Sequence, residues 1–138
     1  MLFRSTVGGE VMIPDAEMVA VTLLREALDV PVYITPPRDI PGTYVRVTRL
    51  GGVQRNIVTD SALIGVNCYS RNRSKAAELA NKARLILRGS AGTKAHNAGI
   101  RFWREVSGPV NYPQPDVDRV RYQFSGELRL ATNTNTYS

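Results

Sequence analysis

The stretch Ser61-Ala-Leu-Ile-Gly-Val-Asn-Cys-Tyr-Ser70 leads through Arg71 and Asn72 into Arg73-Ser-Lys-Ala-Ala-Glu-Leu-Ala-Asn-Lys-Ala-Arg-Leu-Ile-Leu-Arg-Gly89, and its two halves carry different periods. In the first half Ala62, Ile64, Val66 and Cys68 alternate with Ser61, Gly65, Asn67 and Tyr69, the period of a strand with one buried face, with Leu63 interrupting the alternation. In the second, Ala76, Leu79, Ala80, Ala83, Ile86 and Leu87 recur at helical spacing and line one face. The sequence therefore predicts a strand running straight into an amphipathic helix. Ser74 is the expected N-cap, Glu78 suits the positive end and pairs with Lys82, and Arg84 and Arg88 suit the negative end before Gly89. Leu85 projects opposite the apolar stripe, where it is either an ordinary exposed leucine or a subunit contact.

Working back from this unit, Val45 and Val47 alternate with Tyr44, Arg46 and Thr48, which predicts a strand over Thr43–Leu50 turned by Gly51-Gly52. The polar return limb Val53–Asp60, with Arg55, is expected to project as a contact loop. Pro31, Pro36, Pro37 and Pro41 stiffen the preceding segment and leave Val32–Ile34 room for only a short edge strand. Before them Pro14 and Asp15 open a helix whose buried face is Ala16, Val19, Ala20, Leu23, Leu24 and Ala27. Residues 1–13 read as an N-terminal arm.

Working forward, residues 90–99 read as a loop that carries the single histidine, His96. Ile100, Phe102 and Val106 then alternate with Arg101, Trp103 and Glu105, and Gly108–Pro115 breaks the chain. Val120, Tyr122, Phe124, Leu128 and Leu130 alternate with arginines and other polar residues in the cleanest strand, where Gly126 invites a bulge or bend. Residues 132–138 read as a flexible tail. The expected fold is α+β: one domain over residues 14–131, with a mainly antiparallel β-sheet and two amphipathic helices packed on one face. Arg46, Arg101, Arg119, Arg121 and Arg129, with Asn67, Tyr69 and Trp103, are expected on the other face, making it polar and basic.

A chain of 138 residues, 43% hydrophobic, suits one domain. Net charge of +6 favours a polyanionic or acidic neighbour. One cysteine, Cys68, forms no internal disulfide and belongs to the apolar side of its strand. No stretch approaches the ~20 apolar residues of a membrane helix and the first residues lack a signal-peptide pattern, so a soluble protein is expected.

Chemistry is scarce in this sequence. With one histidine and one cysteine, readily activated side chains are few, and a Cys68–His96 pair would join a buried strand position to a loop. Asp116 and Asp118 lack a third acidic ligand at fixed spacing, and a solvated loop is the simpler reading. Phosphate-loop, dinucleotide and zinc patterns are missing, so no catalytic, cofactor or metal site is expected. Tyr69 and Trp103 could stack bases, but the aromatic-rich signature of the RNA-binding sheet domain is lacking.

Three segments together resemble the tail terminator (tail completion) proteins of long-tailed bacteriophages. They are the helix Asp15-Ala-Glu-Met-Val-Ala-Val-Thr-Leu-Leu-Arg-Glu-Ala-Leu28, the unit Tyr69-Ser-Arg-Asn-Arg-Ser-Lys-Ala-Ala-Glu-Leu-Ala80, and the ending Val117-Asp-Arg-Val-Arg-Tyr-Gln-Phe-Ser-Gly-Glu-Leu-Arg-Leu130. The resemblance spans residues 15–131 and lies in arrangement rather than in an invariant motif. It implies a virion structural protein at the tail–neck junction, assembled in the host bacterial cytoplasm as a homo-oligomeric ring, usually a hexamer. Such a ring caps the completed tail tube, offers a surface for head joining and lets double-stranded DNA through its centre. The implied partners are further copies of the chain, the tail tube protein, a head-completion or connector protein and the transiting DNA. Leu85, Arg55 and Trp103 are then candidate subunit-interface residues, and the five arginines are candidates for the channel or basic face. Another neck or head–tail connector protein is the nearest alternative, and a small basic RNA-binding module a further one.

Overall fold

The computed structural model of the chain describes residues 2–4, 9–56, 59–114 and 118–136. In order, its elements are β1 (Leu2–Arg4), β2 (Gly9–Met12), α1 (Ala16–Ala27), β3 (Val32–Tyr33), β4 (Tyr44–Asn56), β5 (Thr59–Ser70), α2 (Arg73–Arg88), β6 (Lys94–Ala95), β7 (Ala98–Asn111), β8 (Val120–Ala131) and β9 (Asn133–Thr136). β3-β4-β5-β8-β7-β6 form a six-stranded sheet, antiparallel except where β3 lies parallel to β4. The fold is α+β, as the sequence pattern predicts.

The strand-to-helix unit sits at the centre. β5 is paired along its length, from Tyr44↔Tyr69 to Asn56↔Thr59 with β4 and from Thr59↔Ala131 to Ser70↔Val120 with β8. One face of this sheet carries Val45, Val47, Ala62, Ile64, Val66, Cys68, Phe124, Leu128 and Leu130, all fully buried. Against it pack Val19, Ala20 and Leu24 of α1 and Ala76, Ala80, Ala83 and Leu87 of α2. At about 25 cal/mol per Å² of apolar surface removed from water, this shared core dominates the stability of both layers. Cys68 lies in it, and burial pushes its thiol well above the usual range, which keeps it protonated and inert.

Helix ends follow local chemistry. Asp15 caps α1 by accepting from the Met18 amide at 3.2 Å. In α2 the cap is Asn72, not Ser74: its Oδ1 accepts from the Lys75 amide at 3.1 Å, so Ser74 falls inside the first turn. Glu78 consequently lies beyond that turn and acts through its pair with Lys82 at 3.7 Å. In α1, Val21 is buried and Ala27 exposed, the reverse of the expected edges of the stripe.

Several strand readings change because the sheet absorbs irregularities that look like breaks. Gly51-Gly52 does not turn a hairpin; β4 passes through both, with a register shift between Arg49 and Gly51. At Gly52, φ is +113° and an added Cβ would lie 2.1 Å from the Ser61 carbonyl oxygen, so close strand approach rather than a turn requires the glycine. Of the limb expected to project as a loop, Val53–Asn56 is instead the remainder of β4, paired as far as Asn56, and Thr59–Asp60 opens β5. Gly108 and Pro109 likewise do not end a strand, since β7 carries them in a shift between Ser107 and Val110 and runs on to Asn111. Within residues 90–99, β6 and β7 form a two-residue hairpin at His96 and Asn97, both with positive φ. Leu2–Arg4, Gly9–Met12 and Asn133–Thr136, within the segments read as arm and tail, form a small second sheet, β1-β2-β9.

The largest consequence concerns Trp103. A shift between Ile100 and Phe102 inserts one residue into β7 and reverses the alternation beyond it. Phe102 therefore faces the polar side, and Trp103 the core, where its ring meets Phe124 edge to face at 6.3 Å. The β5–β8 register stays regular through Gly126, contrary to the expected bulge; the shift lies opposite, between Glu105 and Ser107 of β7. Gly126 instead makes room for the indole, because a Cβ there would lie 2.3 Å from Trp103 Cζ2.

Candidate interaction surfaces

The face of the sheet away from the helices holds two clusters rather than one continuous basic surface. At the end where β4 begins, Tyr44 stacks on Tyr69 with ring centroids 4.4 Å apart. Arg46 Nε donates to the Ile34 carbonyl at 3.2 Å. Arg119 donates to the carbonyls of Pro41, Ile40 and Asp118 at 2.8–3.2 Å, stapling the proline-rich loop to the start of β8. Arg121 lies over the Tyr112 ring at 4.5 Å and donates to the Tyr112 carbonyl at 2.8 Å and to Gln114 Oε1 at 3.0 Å. Gln114 Oε1 also accepts from the Tyr69 hydroxyl at 2.9 Å. Burial and then Tyr69 raise the Tyr44 pKa, and the charges of Arg119, Arg46 and Arg121 pull against them, so all three guanidinium groups act on one hydroxyl.

Their electrostatic consequence follows from the acceptors. Among the described residues, these hydrogen-bond acceptors of Arg46, Arg119 and Arg121 are neutral oxygens, so donors are engaged while the positive charges remain uncompensated by those contacts. Such a surface carries a positive field on held side chains.

Arg129 belongs to the second cluster. Along β5 the cross-strand partners of Arg121 and Arg129 are Tyr69 and Ser61, eight residues or about 27 Å apart at strand rise. Arg129 lies over the Phe102 ring at 4.6 Å and donates to Glu127, which Arg104 also meets as an ion pair at 3.5 Å. Glu127 is buried and also accepts from the Ser61 hydroxyl. On the helix side of the same end, Arg49 and buried Asp60 meet at 3.3 Å. Charge at this end is therefore partly neutralised, and Glu127, the acid that does it, was not among the sequence candidates. Its only signal is an acidic residue on the arginine side of a strand, between Ser125 and Arg129.

Arg101 is exposed on β7, lining a shallow groove of about 410 Å³ with Lys94, Thr93 and Ile100. Leu85 stands 63% exposed on α2, opposite that helix's buried stripe. Trp103, expected beside the basic residues, is half-buried against the core for the reason given above. The side chain of Arg55 lies outside the described residues, as does Asp116. On the helix side, Arg84 grips Glu105 through two bonds of 2.5 and 2.7 Å, joining α2 to β7. The arginine hydrogen bond holds the Glu105 carboxyl below its ordinary range.

Among the described residues no three His, Cys, Asp or Glu side chains cluster to hold a metal ion, and no helix is long and apolar enough to cross a membrane. The fold and its surfaces define an α+β protein whose ordered polar groups brace its own loops. A family model for phage tail termination proteins matches residues 12–137, and the chain belongs to that family. It is accordingly a structural protein of the phage tail and a component of the virion. A chain from the structure entitled "Virion of native gene transfer agent (GTA) particle" shares the fold, with a TM-score of 0.53 and 16% identity over 84% of this chain and 87% of that one. Comparison with curated proteins finds no match.

Proposed function

We propose that the protein closes into a ring, a homohexamer, that caps the completed tail tube, presents a surface for head joining and passes double-stranded DNA through its centre. The observation that carries this reading is the family match over residues 12–137. In this role the chain catalyses nothing and holds no cofactor; its partners are further copies, the tail tube protein, a head-completion or connector protein, and DNA without sequence specificity. It assembles in the bacterial cytoplasm and acts at the tail–neck junction.

The basic face lines the channel or its rim. DNA in transit needs an attractive wall that does not grip, since tight phosphate contacts at many arginines would arrest it. Arg46, Arg119 and Arg121 supply charge with guanidinium donors already engaged by their own chain's oxygens. Arg101 and Arg129 are the remaining channel candidates, Arg129 with part of its charge offset by Glu127, while Leu85, Arg55 and Trp103 remain the proposed subunit contacts. Mass measurement across a concentration series, with and without tail tubes, tests the reading. Assembly to a single closed stoichiometry is expected; a monomer under every condition overturns it.

A further inference from the structure

The six-stranded sheet ends on each side in a stub. β3 pairs only with Val45 and Arg46 of β4, and β6 only with Ala98 and Gly99 of β7. Beyond these, Phe102–Asn111 has β8 on one side and no strand of the described residues on the other. The outer side of β4 also has no strand of the described residues past the stub; the Arg49 amide donates to Glu17 Oε2 at 2.8 Å and Arg49 Nε to the Gly51 carbonyl at 3.0 Å, and the rest of Leu50–Asn56 pairs only with β5. Both open edges carry exposed apolar side chains: Leu50 at 50% and Val53 at 67% on one, Val106 at 56% and Val110 at 52% on the other. Unpaired N–H and C=O groups flanked by exposed valines form a template for another strand.

Strand direction selects the partner. Neighbours along β4-β5-β8-β7 are all antiparallel, so β4 and β7 run in opposite directions. A second copy, rotated about an axis inclined to the strands as in a barrel, sets its β4 antiparallel beside the first copy's β7 and continues the alternation. The stubs lie at opposite ends, since β3 covers the start of β4, level with the end of β7, while β6 covers the start of β7. Adjoining copies therefore meet with a stagger along the strands. Pairing β7 with β4 uses two different surfaces and leaves each copy one of each, the arrangement that repeats until a rotation closes it. Pairing β7 with β7 would exhaust the edge in a dimer.

We propose that copies of this chain join by antiparallel pairing of the β7 edge, Phe102–Asn111, with the β4 edge, Leu50–Asn56, of the next copy, burying Val106, Val110, Leu50 and Val53 between them. The proposal rests on the ring reading and names the contact that closes it. Register shifts in β7 and the missing amide of Pro109 interrupt the edge, which disfavours indiscriminate strand addition and restricts it to a partner of matching irregularity. β4 carries shifts of its own, between Arg49 and Gly51 and between Gln54 and Asn56.

Hydrogen exchange on the unmodified protein, read peptide by peptide in the assembled and diluted states, tests the contact. Amides of both Phe102–Asn111 and Leu50–Asn56 should exchange at least about ten-fold more slowly in the assembled state, as newly paired strand amides do. Rings whose two edges exchange as in the monomer overturn the pairing while leaving the ring reading intact. Dimers protected along β7 alone overturn it in favour of the symmetric contact. A protein that never assembles, with or without tail tubes, overturns the ring reading and the pairing together. As a second arm, Val106→Lys with Val110→Lys should raise the concentration needed for assembly at least about ten-fold with an unchanged circular dichroism spectrum. Normal assembly of that folded variant also overturns the proposal.

Discussion

Replacing Gly126 by alanine tests the packing that reorganised the reading of β7. The new Cβ would lie 2.3 and 2.4 Å from two atoms of the Trp103 ring and 2.8 Å from the Arg104 carbonyl oxygen. None of these distances is tolerable, so the indole must tilt away from Phe124 or the strands must part. Overpacking of this kind costs about 1–3 kcal/mol. At about 2.1 cal/mol/K per residue, a chain of 138 residues has an unfolding entropy of about 0.29 kcal/mol/K. Tm should therefore fall by roughly 3–10 °C. The assay is calorimetry on a double-mutant cycle with Trp103→Leu, which removes the ring but leaves the carbonyl contact. In that background the cost of Gly126→Ala should drop to less than about half. A wild-type Tm for Gly126→Ala, or an undiminished cost beside Leu at position 103, would refute the claim that this glycine exists to seat the tryptophan.

Three further outcomes are expected. Leu85→Lys should weaken assembly while leaving Tm within about 2 °C, because the residue is 63% exposed in the single chain but desolvated in the proposed contact; normal assembly would make Leu85 an ordinary surface leucine. Glu105 has a lowered pKa in the folded chain, so its pair with Arg84 adds stability above the ordinary carboxylate range, lost as pH falls through the lowered folded value. The Tm difference between wild type and Glu105→Gln should thus be clear at pH 7 and shrink below about pH 4, and a difference independent of pH would contradict the assignment. Arg119→Gln combined with Arg121→Gln should lower stability through the lost carbonyl bonds, yet leave rings that retain DNA less well at low salt. Rings that dissociate after this double change would favour a subunit contact over a channel wall.

The parts of the fold legible in the sequence were those where one physical requirement acts over many residues. The stripes of α1 and α2 and the alternation of β5 and β8 all express burial of one face, and burial is a matter of side-chain type. What escaped were single-residue register changes. Nothing in Ile100-Arg101-Phe102-Trp103 marks the inserted residue that turns Trp103 inward, because the partner strand β8 and the gap above Gly126 decide it. Gly51-Gly52 and Gly108-Pro109 carry the composition of turns but lie within long strands whose partners hold them in line. For the candidate surfaces, alternation placed Arg46, Arg119, Arg121 and Arg129 on one face. It could not reveal that the first three meet neutral oxygens, since acceptors such as the Ile34 and Pro41 carbonyls come from loops, nor that Glu127, two residues away on the same strand, turns its carboxylate onto Arg129.

Electron microscopy of the purified protein mixed with purified tail tubes tests the central claim most directly. The account predicts closed rings with a central opening, seated on tube ends and absent from tube sides. Tube ends left bare at protein concentrations well above that of the tubes, with the protein remaining monomeric beside them, would contradict it.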